Sequence, residues 1–171
     1  EYYVGQKIGE IWGYETQGIF QSEEEVASAA DQSQLGSGWL PGDIRYKDLN
    51  DDKKITAGSN TLADPGDRKV IGNTTARYSF GINPEVKYKN WALNIFFQGL
   101  FRDYLPANDS WSTFYPFNIE AAEKYFLTET WSENNRDAYF AAPHLASHDK
   151  KNVQPQSRYV QNAAYIRLKN L

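Results

Sequence analysis

Residues 76 to 89 read ARYSFGINPEVKYK and alternate apolar and polar side chains in one unbroken phase. The even positions are Ala76, Tyr78, Phe80, Ile82, Pro84, Val86 and Tyr88. The odd positions are Arg77, Ser79, Gly81, Asn83, Glu85, Lys87 and Lys89. A period of two puts each set on its own face of a strand. Strands of soluble proteins average about 5–6 residues, whereas crossing a bilayer takes about 9–11. After Asn90 the alternation continues in WALNIFFQGLFR, with Trp91, Leu93, Ile95, Phe97, Gly99 and Phe101 in one set and Asn94, Gln98 and Arg102 in the other. The pattern predicts an antiparallel hairpin, 76–89 against 90–103, closed at Lys89–Asn90 and greasy on one face.

The flanks carry the same period more weakly. YYVGQKIGEIWGYE at the start places Val4, Ile8, Trp12 and Tyr14 in phase, interrupted by Gln6 and Glu10. AAYIRLKNL at the end sets Ile166 and Leu168 against Tyr165, Arg167 and Lys169. The chain thus reads as strand 1–15, a long connection 16–75, the hairpin 76–103, a second long connection 104–162, and strand 163–171. Structureless loops beyond about 12–15 residues are uncommon in compact soluble domains. Transmembrane barrels do alternate long extracellular loops with short turns. Strand length and loop asymmetry favour the barrel over a soluble β-sandwich with one long hairpin.

Composition narrows the classes further. The aromatic fraction is 15%, with 12 Tyr, 9 Phe and 5 Trp, so the apolar content rests on rings that suit strands and wet interfaces. The net charge of −4 gives no basic stripe for nucleic acid. There is no cysteine, hence no disulfide or thiol chemistry within the chain. No apolar run of about 18 residues encodes a transmembrane helix. The absence of an initiating Met and of a signal peptide suggests a fragment or a mature segment.

The connections hold local signals. Ser22 and Glu25 fit a capping box, and Glu23 to Glu25 suit a helix start, predicting a short helix over 22–34. NIEAAEKYFLTETW predicts a second over 118–132, with Ile119, Ala122, Tyr125 and Phe126 on one face. PGDIRYKDLNDDKKITAGSN, residues 41 to 60, carries Asp48, Asn50 and Asp52 at the spacing that opens a calcium loop. Lys54 could add a carbonyl at position 7, and Ile55 fills the apolar position 8. Lys53, however, stands where an EF-hand has glycine. Ser59, at position 12, cannot ligate through two oxygens, and Asp64 or Asp67 could stand in. Calcium is one reading; a cluster of Asx turns capping its own backbone is the other.

Other chemistry is thin. His144 and His148 are four apart but lie among loop residues. Carboxylates such as Glu123 and Glu129 match no glycosidase spacing, and no phosphate loop or nucleophile elbow is present. Trp39, Trp111, Phe114 and Tyr115 fall in the connections, where rings either stack on a sugar or pack the loops together.

Six stretches, in order, resemble the C-terminal part of SusC/RagA-type TonB-linked outer-membrane proteins of Bacteroidetes. They are WGYETQGIFQSEEEV (12–26), PGDIRYKDLNDDKKIT (41–56), VIGNTTARYSFGIN (70–83), YKNWALNIFFQGLFRDY (88–104), TWSENNRDAYFAAP (130–143) and SRYVQNAAYIRLKNL (157–171). The departures are Asp51 and Lys53 in place of frequent glycines, His144 after Pro143, and Ala163–Ala164 in place of a common serine. The resemblance implies an all-β chain with minor helix: about four strands of a large antiparallel transmembrane β-barrel, with two long extracellular loops. Four strands cannot close such a barrel, so function is stated for the parent. The resemblance further implies uptake of glycan oligomers or peptides with a SusD-like surface lipoprotein and drive from the TonB complex. It places the strands in outer-membrane lipid, with no catalytic residues. The classes that compete with it are a secreted soluble β-domain binding carbohydrate and, more remotely, a glycoside hydrolase domain.

Overall fold

The computed structural model describes residues 3–106, 124, 126–143 and 151–171. In chain order the elements are β1 (Glu10–Tyr14), β2 (Thr16–Ile19), α1 (Glu23–Ser28), β3 (Ile44–Tyr46), β4 (Arg68–Asn73), β5 (Tyr78–Ile82), β6 (Glu85–Tyr88), β7 (Trp91–Asn94), β8 (Phe96–Phe101), β9 (Asp103–Tyr104), α2 (Phe126–Glu129), β10 (Gln161–Asn162) and β11 (Tyr165–Asn170), with a 3₁₀ turn at Ser157–Tyr159 before β10. The fold is all-β with minor helix, and among the described residues the ladders between named strands are antiparallel.

The hairpin is built from two ladders in one register. β5 pairs with β8 from Tyr78↔Phe101 to Ile82↔Phe97, and β6 pairs with β7 from Glu85↔Asn94 to Tyr88↔Trp91. The two-residue turn falls at Lys89–Asn90, with Lys89 in the left-handed region at φ 52. Pro84, which has no N–H to give, interrupts the strand. Its carbonyl still accepts from Ile95 N at 3.0 Å, so the register passes through the break unshifted.

β11 adds to the other edge of β8, with Ile166 opposite Gly99 and Leu168 opposite Phe97. Residues directly opposite share a face. One side of the three-stranded sheet β11-β8-β5 therefore carries Ile166, Leu168, Phe97, Phe101, Tyr78, Phe80 and Ile82. Gly99 is what lets this side pack. A Cβ there would come within 2.4 Å of the Phe80 ring, which lies across the strand and packs against Phe101 at 5.9 Å.

The buried core lies elsewhere. Tyr14, Ile19, Ile44, Tyr46, Ile55 and Ala141 form one cluster, capped by Ala30, Leu35, Trp39 and Trp131. Phe126, Phe140 and Tyr159 form a second, with Leu105, Tyr139 and Val153 against it. Nearly all of these residues come from the two long connections. The face of the sheet that sequence pattern marks as apolar is open instead: Tyr78 is 67% exposed, Trp91 80% and Ile166 66%.

Several boundaries differ from the sequence-based expectation. The first strand is confined to Glu10–Tyr14, because residues 4 to 9 form turns around Gly5 and Gly9, both at positive φ. The first connection is not unpaired: β2 pairs with β3, and β4 pairs with β1, so sheet pairing resumes at Arg68 rather than 76. The helix expected over 22–34 ends at Ser28. Ser22 Oγ does accept the Glu25 N–H, and Glu25 reaches back one residue further than a capping box, to Gln21 N. The stop is imposed by Asp31, whose backbone pairs with Lys53 and Ile55 and which cannot do so in a helix. Of the helix expected over 118–132, α2 at Phe126–Glu129 is seen; its expected start at Asn118 lies outside the described residues.

Candidate functional site

The two long connections are stitched together by a buried polar knot. Pro41 and Gly42 turn the chain so that Asp43 enters the core wholly buried. Its carboxylate pairs with Lys151 Nζ at 2.8 Å, accepts from Asn152 Nδ2 at 2.7 Å, and accepts from the Leu40 N–H at 2.8 Å. Lys151 also donates to the Gly38 carbonyl and sits 5.4 Å over the Trp39 ring. Asn152 Oδ1 accepts from Ile44 N, and the Tyr46 hydroxyl donates to the Lys151 carbonyl at 2.6 Å. Gln156 closes the knot by donating to the Asn152 carbonyl and accepting from Thr16 Oγ1. Buried charges persist where they are paired and hydrogen-bonded, and here the Asp43 carboxylate takes both Lys151 and Asn152 from the second connection. Asp43, Lys151, Asn152 and Gln156 carry no motif that would have marked them in sequence; Asp43 is signalled only by the Pro41–Gly42 turn before it.

The segment 48–54 is a closed turn cluster. Asp48 Oδ2 accepts the Lys53 N–H at 2.7 Å, Asn50 Oδ1 accepts the Asp52 N–H at 3.1 Å, and Asp52 Oδ1 accepts the Lys54 N–H at 2.8 Å. Asp51 and Lys53 take φ of 60 and 63, the left-handed geometry that glycines would hold without strain. Ile55 is fully buried behind the loop. The stand-ins for a twelfth ligand are already engaged by donors of the loop itself. Asp67, wholly buried, accepts from Leu49 N and Thr56 N. Asp64 accepts from Ser59 N and Ser59 Oγ. The donor set for an ion is therefore two carboxylates, an amide and carbonyls, with Lys53 and Lys54 beside them. Asp48 Oδ1 is the one buried oxygen of the loop that makes no hydrogen bond. Among the described residues no group of three or more His, Cys, Asp or Glu is placed to hold a metal.

Two of these loop carboxyls are held below the ordinary carboxylate range. For Asp64 the chief cause is the Ser59 hydroxyl; for Asp31 it is the Ser33 backbone N–H. Each contact stabilises the charged form.

Of the rings expected in the connections, Trp39 is half-buried. Its indole N–H donates to the Gly36 carbonyl at 3.0 Å, and its edge meets Tyr46 at 6.3 Å. It packs the first connection onto its own core. Trp111, Phe114, Tyr115, His144 and His148 lie outside the described residues.

The remaining feature is the open sheet. Along the hairpin, exposed Tyr78 and Phe101 mark one end and exposed Tyr88 and Trp91 the other, each couple directly opposite in register. Between them Ile82, Val86 and Leu93 are also exposed. No helix among the described residues is long and apolar enough to cross a membrane, which leaves crossing by strands untouched.

No family model matches the chain. TonB-dependent receptor P3 of Formosa agariphila is 30% identical over 175 residues, which cover 98% of this chain and 15% of that protein. TonB-dependent receptor P26 of the same organism is 24% identical over 178 residues, covering 98% of this chain and 16% of that protein. The chain is a segment of TonB-dependent receptor type. It spans less than a fifth of the length of these receptors, and its hairpin, turn cluster and knotted connections all lie within the matched region. The sheet stays open while the connections carry their own core.

Proposed function

We propose that this chain forms strands and two extracellular loops of the β-barrel of a SusC/RagA-type importer in the outer membrane. The observation that carries the reading is the inverted placement of apolar surface. The most regular alternation in the sequence ends on an exposed face, and the core forms in the connections. A soluble sandwich would bury that face. An apolar patch of this kind marks an interaction surface.

Its dimensions support lipid as the partner. From Tyr78 to Tyr88 is ten residues, about 33 Å of strand at about 3.3 Å per residue. At a tilt of about 40° that spans about 25 Å, the height of the apolar band of an outer-membrane barrel, with aromatic rings at both rims. The opposite face then borders the lumen.

The pinned connections would line the outer mouth, where the parent takes up glycan oligomers or peptides with a SusD-like lipoprotein, driven through TonB. Transport rather than catalysis is the reading in keeping with the receptor relatives. The test is deletion of the parent gene, with uptake of fluorescent oligosaccharides and peptides followed in whole cells and the receptor purified to see what accompanies it. Loss of uptake with a co-purifying surface lipoprotein is expected. Unchanged uptake across the panel would overturn the assignment.

A further inference from the structure

The face of the hairpin opposite the apolar one is cationic in a chain of net charge −4. By alternation it carries Arg77, Ser79, Gly81, Asn83, Glu85 and Lys87 on one strand, Asn94, Phe96, Gln98, Leu100 and Arg102 on the other, with the Phe96 ring over Gly81, and Tyr165 and Arg167 on β11. Glu85 and Lys87 neutralise each other at 2.7 Å. Among the described residues, that face carries no carboxylate at the end of the sheet nearest the connections. Arg77 and Arg102 follow directly on the last ladder pair, Tyr78↔Phe101, and both are exposed. Arg167 sits two residues along β11 from Tyr165 and lies 4.2 Å over its ring. None of the three arginines makes an ion pair with a described carboxylate. The nearest in sequence, Asp103, is turned the other way and accepts the Asn73 N–H at 3.0 Å.

Like charges that flank one ladder pair repel, and exposed guanidinium groups arranged in this way suit carboxylate or sulfate, which they bind bidentately. The half-buried Tyr165 ring beneath Arg167 adds a flat apolar surface beside them. We infer that Arg77, Arg102 and Arg167 form an anion-binding subsite on the lumen wall, and that the imported oligomer carries carboxylate or sulfate groups. This deepens the import reading above and rests on it. Salt weakens such contacts, and the arginines raise the local concentration of an anionic substrate at the mouth.

The experiment uses the full-length receptor in detergent and three oligomers of similar length: oligogalacturonate, a chondroitin sulfate oligosaccharide and neutral maltohexaose. Affinities are measured by calorimetry for the native protein and for the double variant Arg77→Gln/Arg102→Gln. At least one acidic oligomer is expected to bind more tightly than the neutral one. The double variant is expected to weaken that binding by about tenfold or more and to leave maltohexaose unchanged. Heat-modifiable migration on gels checks that the variant still forms a barrel, and Arg77→Lys/Arg102→Lys should restore part of the affinity. Preference for the neutral oligomer, or no acidic oligomer bound at all, would overturn the inference while leaving the import reading to its own uptake test. Acidic affinity within twofold of native, with a lowered melting temperature, would also overturn it, since the arginines would then pair with another part of the receptor.

Discussion

At the residue scale, the decisive contact is the pair Asp43–Lys151, buried on both sides. Removing one member of such a pair leaves an uncompensated charge, which costs about 3–5 kcal/mol. Lys151→Met is therefore expected to free the two connections from each other, lowering protection of the Ile44 and Tyr46 amides in hydrogen exchange while the hairpin register persists. Unchanged exchange would show that the knot is held by its neutral members alone. Nothing in the sequence announced this pair, because a lone lysine and a lone aspartate are ordinarily solvated and only the tertiary fold brings them together.

The Asp48 loop was legible in the opposite sense: its spacing was plain, but two readings fitted it. With the side chains already closed on Lys53, Asp52 and Lys54 amides, millimolar calcium is expected to leave the melting temperature within about 1 °C, on the order of a few tenths of a kcal/mol. A larger rise that Asp48→Ala abolishes would establish the ion instead.

At the element scale, the register and closing turn of the hairpin were legible, because a one-residue slip would exchange its two faces and a two-residue turn fixes the register; its interruption at Pro84 was not. The first strand was legible within 1–15, whereas the pairing of β2 with β3 and of β4 with β1 was not, since β2, β3 and β4 lie in a connection without sustained alternation. Two predictions belong here. Ile82, midway between the aromatic rims, should tolerate no charge. Ile82→Arg is expected to cost about 2–4 kcal/mol of barrel stability in bilayers, whereas Asn94→Arg on the other face, opposite Glu85, should lie within about 1 kcal/mol. Equal costs would remove lipid from the apolar side.

The turns have a pH signature. Asp31 and Asp64 have folded pKa values below the ordinary one, so their contribution is fully present above about pH 3.9 and is lost as pH falls through the lowered folded values. Carbon-detected NMR titration should find both carboxyls protonating below the range of Asp in an unfolded chain. Midpoints at or above that range would mean that Ser33 and Ser59 do not hold them.

At the scale of the whole molecule, two separate buried clusters lie in the connections, and the sheet beside them is open. The sequence pointed to this sheet but not to what covers it. Among the described residues the connections pack their aromatic rings into their own cores and leave this sheet open. Without detergent the isolated chain is expected to self-associate through that face and its unpaired strand edges. A monodisperse monomer in light scattering would argue against an exposed apolar sheet. The most direct measurement is spin-label accessibility along the hairpin of the full-length receptor in lipid vesicles, one cysteine at a time from position 78 to 101. Oxygen accessibility should peak at Tyr78→Cys, Phe80→Cys, Ile82→Cys, Val86→Cys, Leu93→Cys and Phe97→Cys. The intervening Ser79→Cys, Glu85→Cys, Asn94→Cys and Gln98→Cys should favour a water-soluble nickel reagent. Alternation of that phase on both strands is the expected result; a hairpin equally accessible to the nickel reagent at every position would contradict its place in the membrane.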